Sequence, residues 1–321
     1  MLDTVVIPLV MFLIFPGVAF LLAMAFFLEW IDRKTVARIQ RRYGPLHTGP
    51  SGILQPFADF LKLLQKEDII PTGVDKKVFI LAPILISALP LTALFLIPFA
   101  GPSALVWFEG DLFLIMFIFT LIVLVVFLAG YCTTSRFSVI GSSRAALQML
   151  GYEIPMGLAM IGPALLAGSL SISGIGQWQM DNGIWTVLLQ PLGFAILVTC
   201  MLAELEFVPF DIPEAETEIV GGWRTEYGGR KLALLKLGHD LELVLASALI
   251  TALYLGGAQQ IWIIPSIFVF LAKMLLVTLL FSLLRAVFAR MSIAQMLSGM
   301  WKYMVPLAII QILLIQLGIG G

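Results

Sequence analysis

Four carboxylates lie inside, or at one end of, long apolar stretches of this chain. They are Glu153, Glu204, Asp240 and Glu242. A charge near the centre of a membrane helix costs about 2.5–3.5 kcal/mol, so acids retained there commonly line an ion pathway or a water-filled cavity. The alternative is that each carboxylate reaches water at the membrane surface, since all four lie towards the same side of the membrane.

A second group of acids follows in one connection between apolar stretches. It contains Glu206, Asp211, Glu214, Glu216, Glu218 and Glu226, opposed by Arg224, Arg230 and Lys231. Residues 208–213 (VPFDIP) mix apolar side chains with an acid, which favours a loop folded back into protein over a solvated acidic loop. If residues 213–219 are helical, Glu214 and Glu218 share a face. Crowded carboxylates raise one another's pKa, and groups that titrate near neutral pH can pass protons on. Asp211, Glu214, Glu216 and Glu218 of this loop are predicted to form a proton relay with the four membrane acids, which makes eight proton-path acids.

About eight apolar segments must position these acids. Hydrophobic residues make up 60% of the 321 residues and charged residues 12%, which excludes a water-soluble globular protein. A helix needs about 20 residues to cross the hydrocarbon core of a bilayer. The predicted spans are residues 5–28, 78–99, 112–131, 149–170, 185–205, 235–256, 262–283 and 302–319. The sequence therefore predicts an all-α integral membrane protein.

Positive charges assign the connections between spans to two sides. All of the 19 Lys and Arg residues except Lys273 lie in or next to four connections. These are residues 29–77, 132–148, 206–234 and 284–301. Basic connections stay on the cytoplasmic side, so we expect these four to be cytoplasmic and both termini to lie on the outer side. Residues 1–321 are predicted to form a single membrane domain. Lys273 could pair with a membrane carboxylate or extend to the surface.

The first cytoplasmic connection is made of three parts. A basic run covers residues 32–42, which suits either a docking surface or simple anchoring to lipid headgroups. Gly-Pro and Ser-Gly pairs in residues 44–52 predict a turn. Apolar residues then recur at helical spacing from Ile53 to Leu64, which predicts an amphipathic helix in the membrane interface or under a partner subunit.

No motif indicates independent catalytic chemistry in this sequence. His47 and His239 are far apart in sequence, and Cys132 and Cys200 have neither metal-site spacing nor a disulfide framework. Phosphate-binding, nucleophile and dinucleotide-binding motifs are absent from the sequence. The sequence predicts no catalytic residue, cofactor, metal or nucleic-acid partner, and favours an ion-path or coupling role.

Several short motifs occur in the order found in one known family. They are residues 39–45 (IQRRYGP), 66–68 (KED), 75–77 (DKK), 81–83 (LAP), 151–155 (GYEIP), 203–204 (AE), 209–216 (PFDIPEAE), 226–227 (EY), 285–286 (RA) and 301–302 (WK). Together they resemble the membrane heel subunit (the H type) of respiratory complex I (NADH:quinone oxidoreductase), which joins the redox arm to the membrane arm. The resemblance implies eight core helices, iron–sulfur partners on the cytoplasmic face, and antiporter-like and small membrane subunits as neighbours in the bilayer.

The sequence departs from this family near the expected quinone chamber. An Asn-Arg pair usually precedes the Pro-Phe-Asp motif, where this sequence contains Glu206 and Phe207. The family's second C-terminal Arg and its following Asp correspond to Ser292 and Ala294, and a usual Glu of the sixth helix falls on His239. A chamber without these polar residues favours an acceptor other than quinone.

Residues 225–229 (TEYGG) and the leucines after them are more similar to relatives in membrane-bound nickel–iron hydrogenases. That likeness implies a membrane anchor and coupling subunit of a ferredoxin-linked hydrogenase in the plasma membrane, which links redox chemistry to proton or sodium translocation. Iron–sulfur clusters, and a nickel–iron centre in a hydrogenase, would lie in partner subunits. The residues predicted to contact the redox arm are Asp32, Arg33, Arg38, Arg41, Arg42, Asp59, Lys66, Glu67 and Glu226. The alternatives are a quinone-reducing complex I subunit, a related sulfur reductase subunit, and a purely structural anchor.

Overall fold

The computed structural model describes residues 11–260 and 263–318 of the chain. Within these ranges every regular element is a helix, which confirms the predicted all-α membrane fold. The α-helices are α1 (Val18–Ile39), α2 (Gln55–Leu64), α3 (Lys76–Leu94), α4 (Asp111–Tyr131), α5 (Arg136–Ala167), α6 (Ile172–Asn182), α7 (Thr186–Leu189), α8 (Pro191–Glu204), α9 (Glu216–Ile219), α10 (Gly229–Tyr254), α11 (Ser266–Val287), α12 (Ile293–Gly299) and α13 (Val305–Gln316).

Among the described residues, six helices are long and apolar enough to cross a membrane. They are Met11–Ile39, Lys76–Leu94, Asp111–Tyr131, Arg136–Ala167, Ser266–Val287 and Ile293–Gln316, and they correspond to six of the eight predicted spans. Residues 5–10, 262 and 319, at the ends of three predicted spans, lie outside the described residues. Along α4, Phe113, Phe117, Leu124 and Leu128 are 42–57% exposed. This apolar surface suits contact with lipid and not with water.

The fifth and sixth predicted spans differ from a simple crossing helix. The predicted span 185–205 is divided into α7 and α8, because Gln190 leaves the helical conformation and Pro191 has no N–H to donate. With 14 residues, α8 extends about 21 Å, which is shorter than the hydrocarbon core of about 30 Å. The sixth span lies within α10, where residues 240–254 are all buried between neighbouring helices.

Helical structure extends into the predicted connections. Helix α5 has 32 residues and begins at Arg136, so most of the predicted connection 132–148 is helical. At about 48 Å, α5 exceeds the thickness of the hydrocarbon core by about 18 Å. Helix α1 likewise continues to Ile39 through much of the basic run. The α1 extension agrees with the interpretation of the basic run as a helical continuation of the first span, whereas the α5 extension was not predicted because its first residues are polar enough to leave the bilayer.

The amphipathic helix predicted in the first connection is confirmed as α2. It packs against α1 and α10. Leu54, Phe57 and Leu61 are 42–51% exposed, so an apolar face stays uncovered in this chain. Such a face fits the predicted position in the membrane interface or under a partner.

Helix α10 is central to the bundle and contacts α1, α3 and α11. It approaches α3 closely at Gly238, where an added Cβ would lie 2.7 Å from the carbonyl oxygen of Ile86. A residue without a side chain lets the two backbones meet, as is common between membrane helices. This contact fixes the position of the α10 acids relative to α3.

Lys273 adopts neither of the two arrangements considered from the sequence. It is 5% exposed on α11, and its Nζ donates a hydrogen bond to the Gly257 carbonyl at 3.2 Å. The same Nζ lies 4.8 Å from the centre of the Trp185 ring, within the range of a cation–π contact. Among the described residues it forms no ion pair with a carboxylate.

Candidate functional site

Two cavities meet at the end of the bundle that carries the basic connections. The larger, called the polar cavity, has a volume of about 250 Å³ and is lined by Glu29, Asp32, Arg33, Phe207, Glu214, Arg224, Lys236, His239, Asp240, Leu243 and Arg285. The smaller, called the acidic pocket, has a volume of about 20 Å³ and is lined by Ile86, Ile122, Val123, Val126, Glu204, Glu206, Trp223, Arg224, His239 and Glu242. Arg224 and His239 are common to both.

Helix α1 supplies one wall of the polar cavity. Glu29, Asp32 and Arg33 share a face of α1 because they are three and four residues apart. Asp32 is 4% exposed and accepts hydrogen bonds from Ser282 Oγ at 2.8 Å and Arg285 Nη1 at 2.6 Å, both on α11. Arg33 forms an ion pair with Glu29 one turn before it. The cavity is therefore bounded by charges that join α1 to α11.

Helix α10 supplies the opposite wall. Lys236, His239 and Asp240 lie on one face, again three and four residues apart. Asp240 is 8% exposed, and its carboxyl lies beside that of Glu29 on α1. Two carboxyl groups from opposite walls thus meet at the edge of the polar cavity, with Arg33 close to both.

The acidic pocket places three carboxyl groups beside Arg224 and His239, against apolar side chains of α3 and α4. Glu204 ends α8, Glu206 follows it, and Glu242 lies on α10. Both carboxyl oxygens of Glu204 are buried and form no hydrogen bond of good geometry within the described residues, although the Tyr152 hydroxyl lies close to this carboxyl group. A water molecule needs about 10–15 Å³ of such volume, so the pocket is large enough for one. Since a buried polar group without a partner is costly, water is the natural partner for Glu204.

Arg224 is the cation placed between these acids. A short 3₁₀ turn, Gly222–Arg224, directs Trp223 and Arg224 inward. The Arg224 Nε lies 2.6 Å from Glu214 Oε1, and the guanidinium carbon lies 4.7 Å from the centre of the Trp223 ring. Trp223 Nε1 donates to Glu206 at 3.3 Å. One segment therefore holds both a fixed positive charge and a hydrogen-bond donor against the acids.

Two acids of the loop, Glu206 and Asp211, have pKa values above those of exposed acids. Burial, and secondarily repulsion from Glu214, raises the pKa of Glu206, while Arg224 opposes the shift. The same two causes raise the pKa of Asp211 to about 6, against the attraction of nearby arginines. Both carboxyl groups therefore exchange protons nearer to neutral pH than an exposed acid does.

The structure brings together some of the eight predicted proton-path acids and separates others. Glu204, Glu214, Asp240 and Glu242 line the two cavities, and Asp211 lies near Glu214. Glu153 on α5 accepts a hydrogen bond from Thr120 Oγ1 at 2.6 Å and faces Glu204. Glu216 and Glu218 are exposed on the loop surface.

The prediction that Glu214 and Glu218 share a helix face is wrong. Helix α9 covers only Glu216–Ile219, so Glu214 precedes it. Glu218 turns outward to Arg144 Nη1 at 2.7 Å and Arg290 Nη1 at 3.8 Å. Separate arginines neutralise the two acids, which removes the repulsion that the helical spacing would have imposed.

Six charged or titratable residues of the two cavities were not among the predicted proton-path acids and contact residues. They are Glu29, Glu206, Arg224, Lys236, His239 and Arg285. Glu29 could have been identified from the sequence, because it lies four residues before Arg33 at the end of an apolar span. Glu206, Arg224 and His239 have no such spacing, and only the fold places them together.

The predicted contact residues for a redox arm divide into exposed and internal groups. Arg38, Arg41, Arg42, Lys66 and Glu67 are exposed, and Glu226 is half-buried. Asp32 is instead enclosed between α1 and α11, and Arg33 bonds Asp59 at 2.8 Å. Helical spacing turns Asp32 inward although it belongs to the basic run. Its carboxylate is thus a structural partner of Arg285 and not an exposed docking group.

A third cavity lies beside the basic run and adjoins the polar cavity. It has a volume of about 370 Å³ and is lined by Asp32, Arg33, Val36, Ala37, Arg42, Tyr43, Gly44, Pro45 and Arg285. It shares Asp32, Arg33 and Arg285 with the polar cavity. The adjoining cavities form a row of polar side chains, called the polar route, from the surface near Tyr43, which is 90% exposed, towards Arg224 and His239.

The positions where the sequence departs from the complex I pattern have defined structural roles. The Arg285 guanidinium carbon lies 4.4 Å from the centre of the Phe207 ring. Ser292 begins α12, where its hydroxyl accepts from the backbone N–H of Gln295. Phe207 thus supplies an aromatic surface where the family has a cation. Among the described residues no group of three metal-ligating side chains comes together.

Comparisons with known proteins agree with this architecture. A family model described as NADH dehydrogenase matches residues 10–316. The H-type subunit of NADH-quinone oxidoreductase from Dehalococcoides mccartyi is 40% identical over 281 residues, 87% of this chain and 78% of that protein. One of the H-type subunits from Geobacter metallireducens is 37% identical over 301 residues, 91% of each protein. Subunit 8 of the Thermus thermophilus enzyme is 36% identical over 300 residues, 91% of this chain and 81% of that protein.

The names of these relatives help to choose between the two groups of proteins considered from the sequence, complex I and the membrane-bound hydrogenases. All three relatives are named as subunits of NADH-quinone oxidoreductases. The comparisons therefore do not support the specific likeness to hydrogenases predicted from residues 225–229, or the use of ferredoxin. The match covers nearly the whole chain and agrees with the multi-pass helical fold. This chain belongs to the NADH dehydrogenase family, the family of the H-type membrane subunit of NADH-quinone oxidoreductase.

Proposed function

We propose that this chain is the membrane subunit of a complex I-type assembly that joins a peripheral redox arm to the membrane arm and contributes the chamber in which quinone is reduced. The observation that carries this proposal is the polar route from the surface near Tyr43 to Arg224 and His239. The names of the relatives support it, because each belongs to a quinone-linked oxidoreductase.

The chemistry of the polar cavity suits a quinone head group. The two carbonyl oxygens of a quinone accept hydrogen bonds, and the cavity offers Arg33, Arg224, Lys236 and His239 as donors. Phe207 adds an aromatic ring against which a planar head group can stack. Reduction of quinone to quinol takes up two electrons and two protons. The electrons would come from an iron–sulfur partner, and the carboxyl groups of the cavity would supply the protons.

The acids beyond the cavity form the proposed coupling path. Protons would pass from the polar cavity to the acidic pocket at Glu204 and Glu242, and onward past Tyr152 to Glu153 in the membrane. Asp211 and Glu214 lie in the loop between the cavity and the cytoplasmic surface and would sense the redox state. Glu216 and Glu218 are exposed, so they would take part only where the proton path opens at the surface of the loop. Proton movement, or sodium movement linked to it, would then drive antiporter-like neighbours.

The basic face would hold the peripheral arm. Arg38, Arg41 and Arg42 are exposed there, together with Lys66 and Glu67 on the segment that follows α2. We propose that this face is cytoplasmic, that both termini lie on the outer side, and that the chain resides in the plasma membrane as a single domain. The exposed apolar helix faces would contact lipid and small membrane subunits.

A photoreactive quinone tests the chamber directly. Membranes that contain the intact complex would be irradiated with an azido-quinone, and the labelled peptide of this chain would be identified. We expect labelling in α1 near Arg33, in α10 near His239 or at Phe207, and loss of labelling when unmodified quinone is present in excess. Labelling restricted to the lipid-facing side of α4 would contradict the proposal.

Phe207 and Ser292 favour a second candidate function. At both positions the complex I pattern has an arginine, so the chamber lacks two cations that the quinone-reducing family usually has. In this candidate the chain couples ion transport to a redox arm whose acceptor is a proton, as in ferredoxin-linked hydrogenases, or a sulfur compound. Electron flow from the complex to added quinone, sensitive to quinone-site inhibitors, would reject it.

A further inference from the structure

We propose that His239 transfers protons between the polar cavity and the acidic pocket, and that Arg224 is the positioning residue beside it. This proposal rests on the proposed function and names a group within the same site. His239 and Arg224 are the residues that line both cavities, and Arg224 carries a permanent charge. The imidazole is therefore the group at this boundary that can take up and release a proton.

The position of the imidazole supports a relay and not a structural role. His239 forms no hydrogen bond with another described residue, so both ring nitrogens remain free to bind water or a carboxyl group. Its ring makes an edge contact with Phe207, with the ring centres 5.4 Å apart. This contact orients the ring without using either nitrogen. A histidine kept only for packing would commonly have one nitrogen bonded to the protein.

Charged groups surround His239 from several elements. Lys236, Asp240 and Glu242 lie on its own helix, and Glu204 ends α8. Arg224, Glu206 and Glu214 face it from the loop, and Arg285, Asp32 and Glu29 from α11 and α1. Acids thus lie on both sides of the ring, in the polar cavity and in the acidic pocket. The unpartnered oxygens of Glu204 mark the acceptor side.

The proton transfer balances without a further reactant. One ring nitrogen accepts a proton from water or a carboxylic acid in the polar cavity, so an O–H bond breaks and an N–H bond forms. The other nitrogen then releases its proton to water or a carboxylate in the acidic pocket. The ring is left neutral in the other tautomer and is reset by rotation or by the reverse exchange. No electron is transferred.

Arg224 sets the geometry of this step. Its guanidinium is held by Glu214 at 2.6 Å and stacks on Trp223. In that position the fixed charge lies with the imidazole at the boundary of the two cavities, where it repels an excess proton and leaves the imidazole as the group that can carry one. A change in the Arg224–Glu214 pair would alter access to the ring.

The test compares three substitutions in the assembled complex. Protons translocated per electron, and coupled turnover, would be measured in membranes with the complex's own donor and acceptor. We expect His239→Gln to lower coupled proton movement about tenfold or more, since a positioned proton-transfer group contributes about 10²-fold or more. His239→Glu should retain most of it, because a carboxyl group also carries protons. His47→Gln, the same change at an exposed histidine, should match the wild type.

Two outcomes would overturn the proposal. One is wild-type coupling in His239→Gln, and the other is equal loss in the Gln and Glu variants, which would indicate packing alone. A measurement on the unmodified complex is independent of assembly of the variants. Deuterium exchange at the imidazole C2 position should occur at His239 in heavy water, as at His47, and a His239 ring that does not exchange would also overturn it. Electron transfer to added quinone in the same membranes reports separately on the proposed function.

Discussion

The guanidinium of Arg224 and the carboxylate of Glu214 form an ion pair of 2.6 Å at the boundary between the two cavities. Their side chains are 18% and 28% exposed. Arg224 is also close to Glu206, Asp240 and Glu242, so one cation balances several acids. This pair joins two parts of the acidic loop, and its cation lies near the α10 acids Asp240 and Glu242.

Loss of this pair should destabilise the loop. In Arg224→Gln the acids lose their common counter-charge, and we expect the free energy of unfolding to fall by about 2–3 kcal/mol, less than for a fully enclosed pair. Glu214→Gln should cost less, because Arg224 still faces other acids. The double variant should lose less than the sum of the two single losses. Thermal denaturation of the purified complex measures all three, and strictly additive losses would show that the two side chains do not interact.

Asp211 should titrate near pH 6. Its pKa is raised to about 6 by burial and by Glu214, so the native loop takes up a proton in the interval from pH 7 to pH 5. Because the native pKa lies above the ordinary one, this group raises the free energy of unfolding as the pH falls through 6 towards its unfolded pKa near 4.

Infrared difference spectra should show this titration as a protonated-carboxyl band. The band should be missing in Asp211→Asn and present in Glu218→Gln, because Glu218 is exposed and its pKa is lowered by Arg144. A band near pH 6 that survives in Asp211→Asn would assign the titration to another group.

Asp32 should stabilise the packing of α1 against α11, because it bonds both Ser282 and Arg285. Asp32→Asn leaves Arg285 without its charged partner in a mostly enclosed site, and we expect a loss of about 2–3 kcal/mol in unfolding free energy. Ser282→Ala removes only one hydrogen bond to the same carboxylate and should cost about 1 kcal/mol. Equal shifts of the denaturation midpoint in the two variants would show that the ion pair stabilises the packing of α1 against α11 no more than a single hydrogen bond does.

The close contact of α10 with α3 should depend on Gly238. In Gly238→Ala the added Cβ meets the backbone of Ile86 at 2.7 Å, and we expect a loss of about 1–3 kcal/mol from overpacking. Gly299→Ala is the matched control, because nothing lies within 4 Å of a Cβ there. A smaller midpoint shift in the first variant than in the second would contradict the close approach.

The sequence predicted the helical fold and the membrane acids well because both have strong local signals. Glu204, Asp240 and Glu242 are conspicuous as charges in apolar stretches, and the structure places all three in the two cavities. The Pro191 signal was present too, and it explains why a predicted span is divided into α7 and α8. Asp32 was placed on the surface because it belongs to a basic run, although its spacing from Glu29 turns it inward.

The rest depends on contacts between segments distant in the chain. Glu206 and Arg224 are 18 positions apart in an irregular loop, where no periodicity predicts which side chains meet. His239 has an ordinary position on α10, and only the convergence of two cavities gives it a distinct role. The outward turn of Glu218 likewise follows from Arg144 on α5, which the loop sequence does not indicate.

Glu204→Gln tests the central claim most directly. The variant keeps the shape of the side chain but removes its exchangeable proton in the acidic pocket, and Asp181→Asn neutralises an exposed acid elsewhere as a control. Protons translocated per electron would be measured in membranes with equal amounts of assembled complex. We predict a several-fold fall in that ratio for Glu204→Gln and none for the control, whereas a wild-type ratio in Glu204→Gln would contradict a proton path through the acidic pocket.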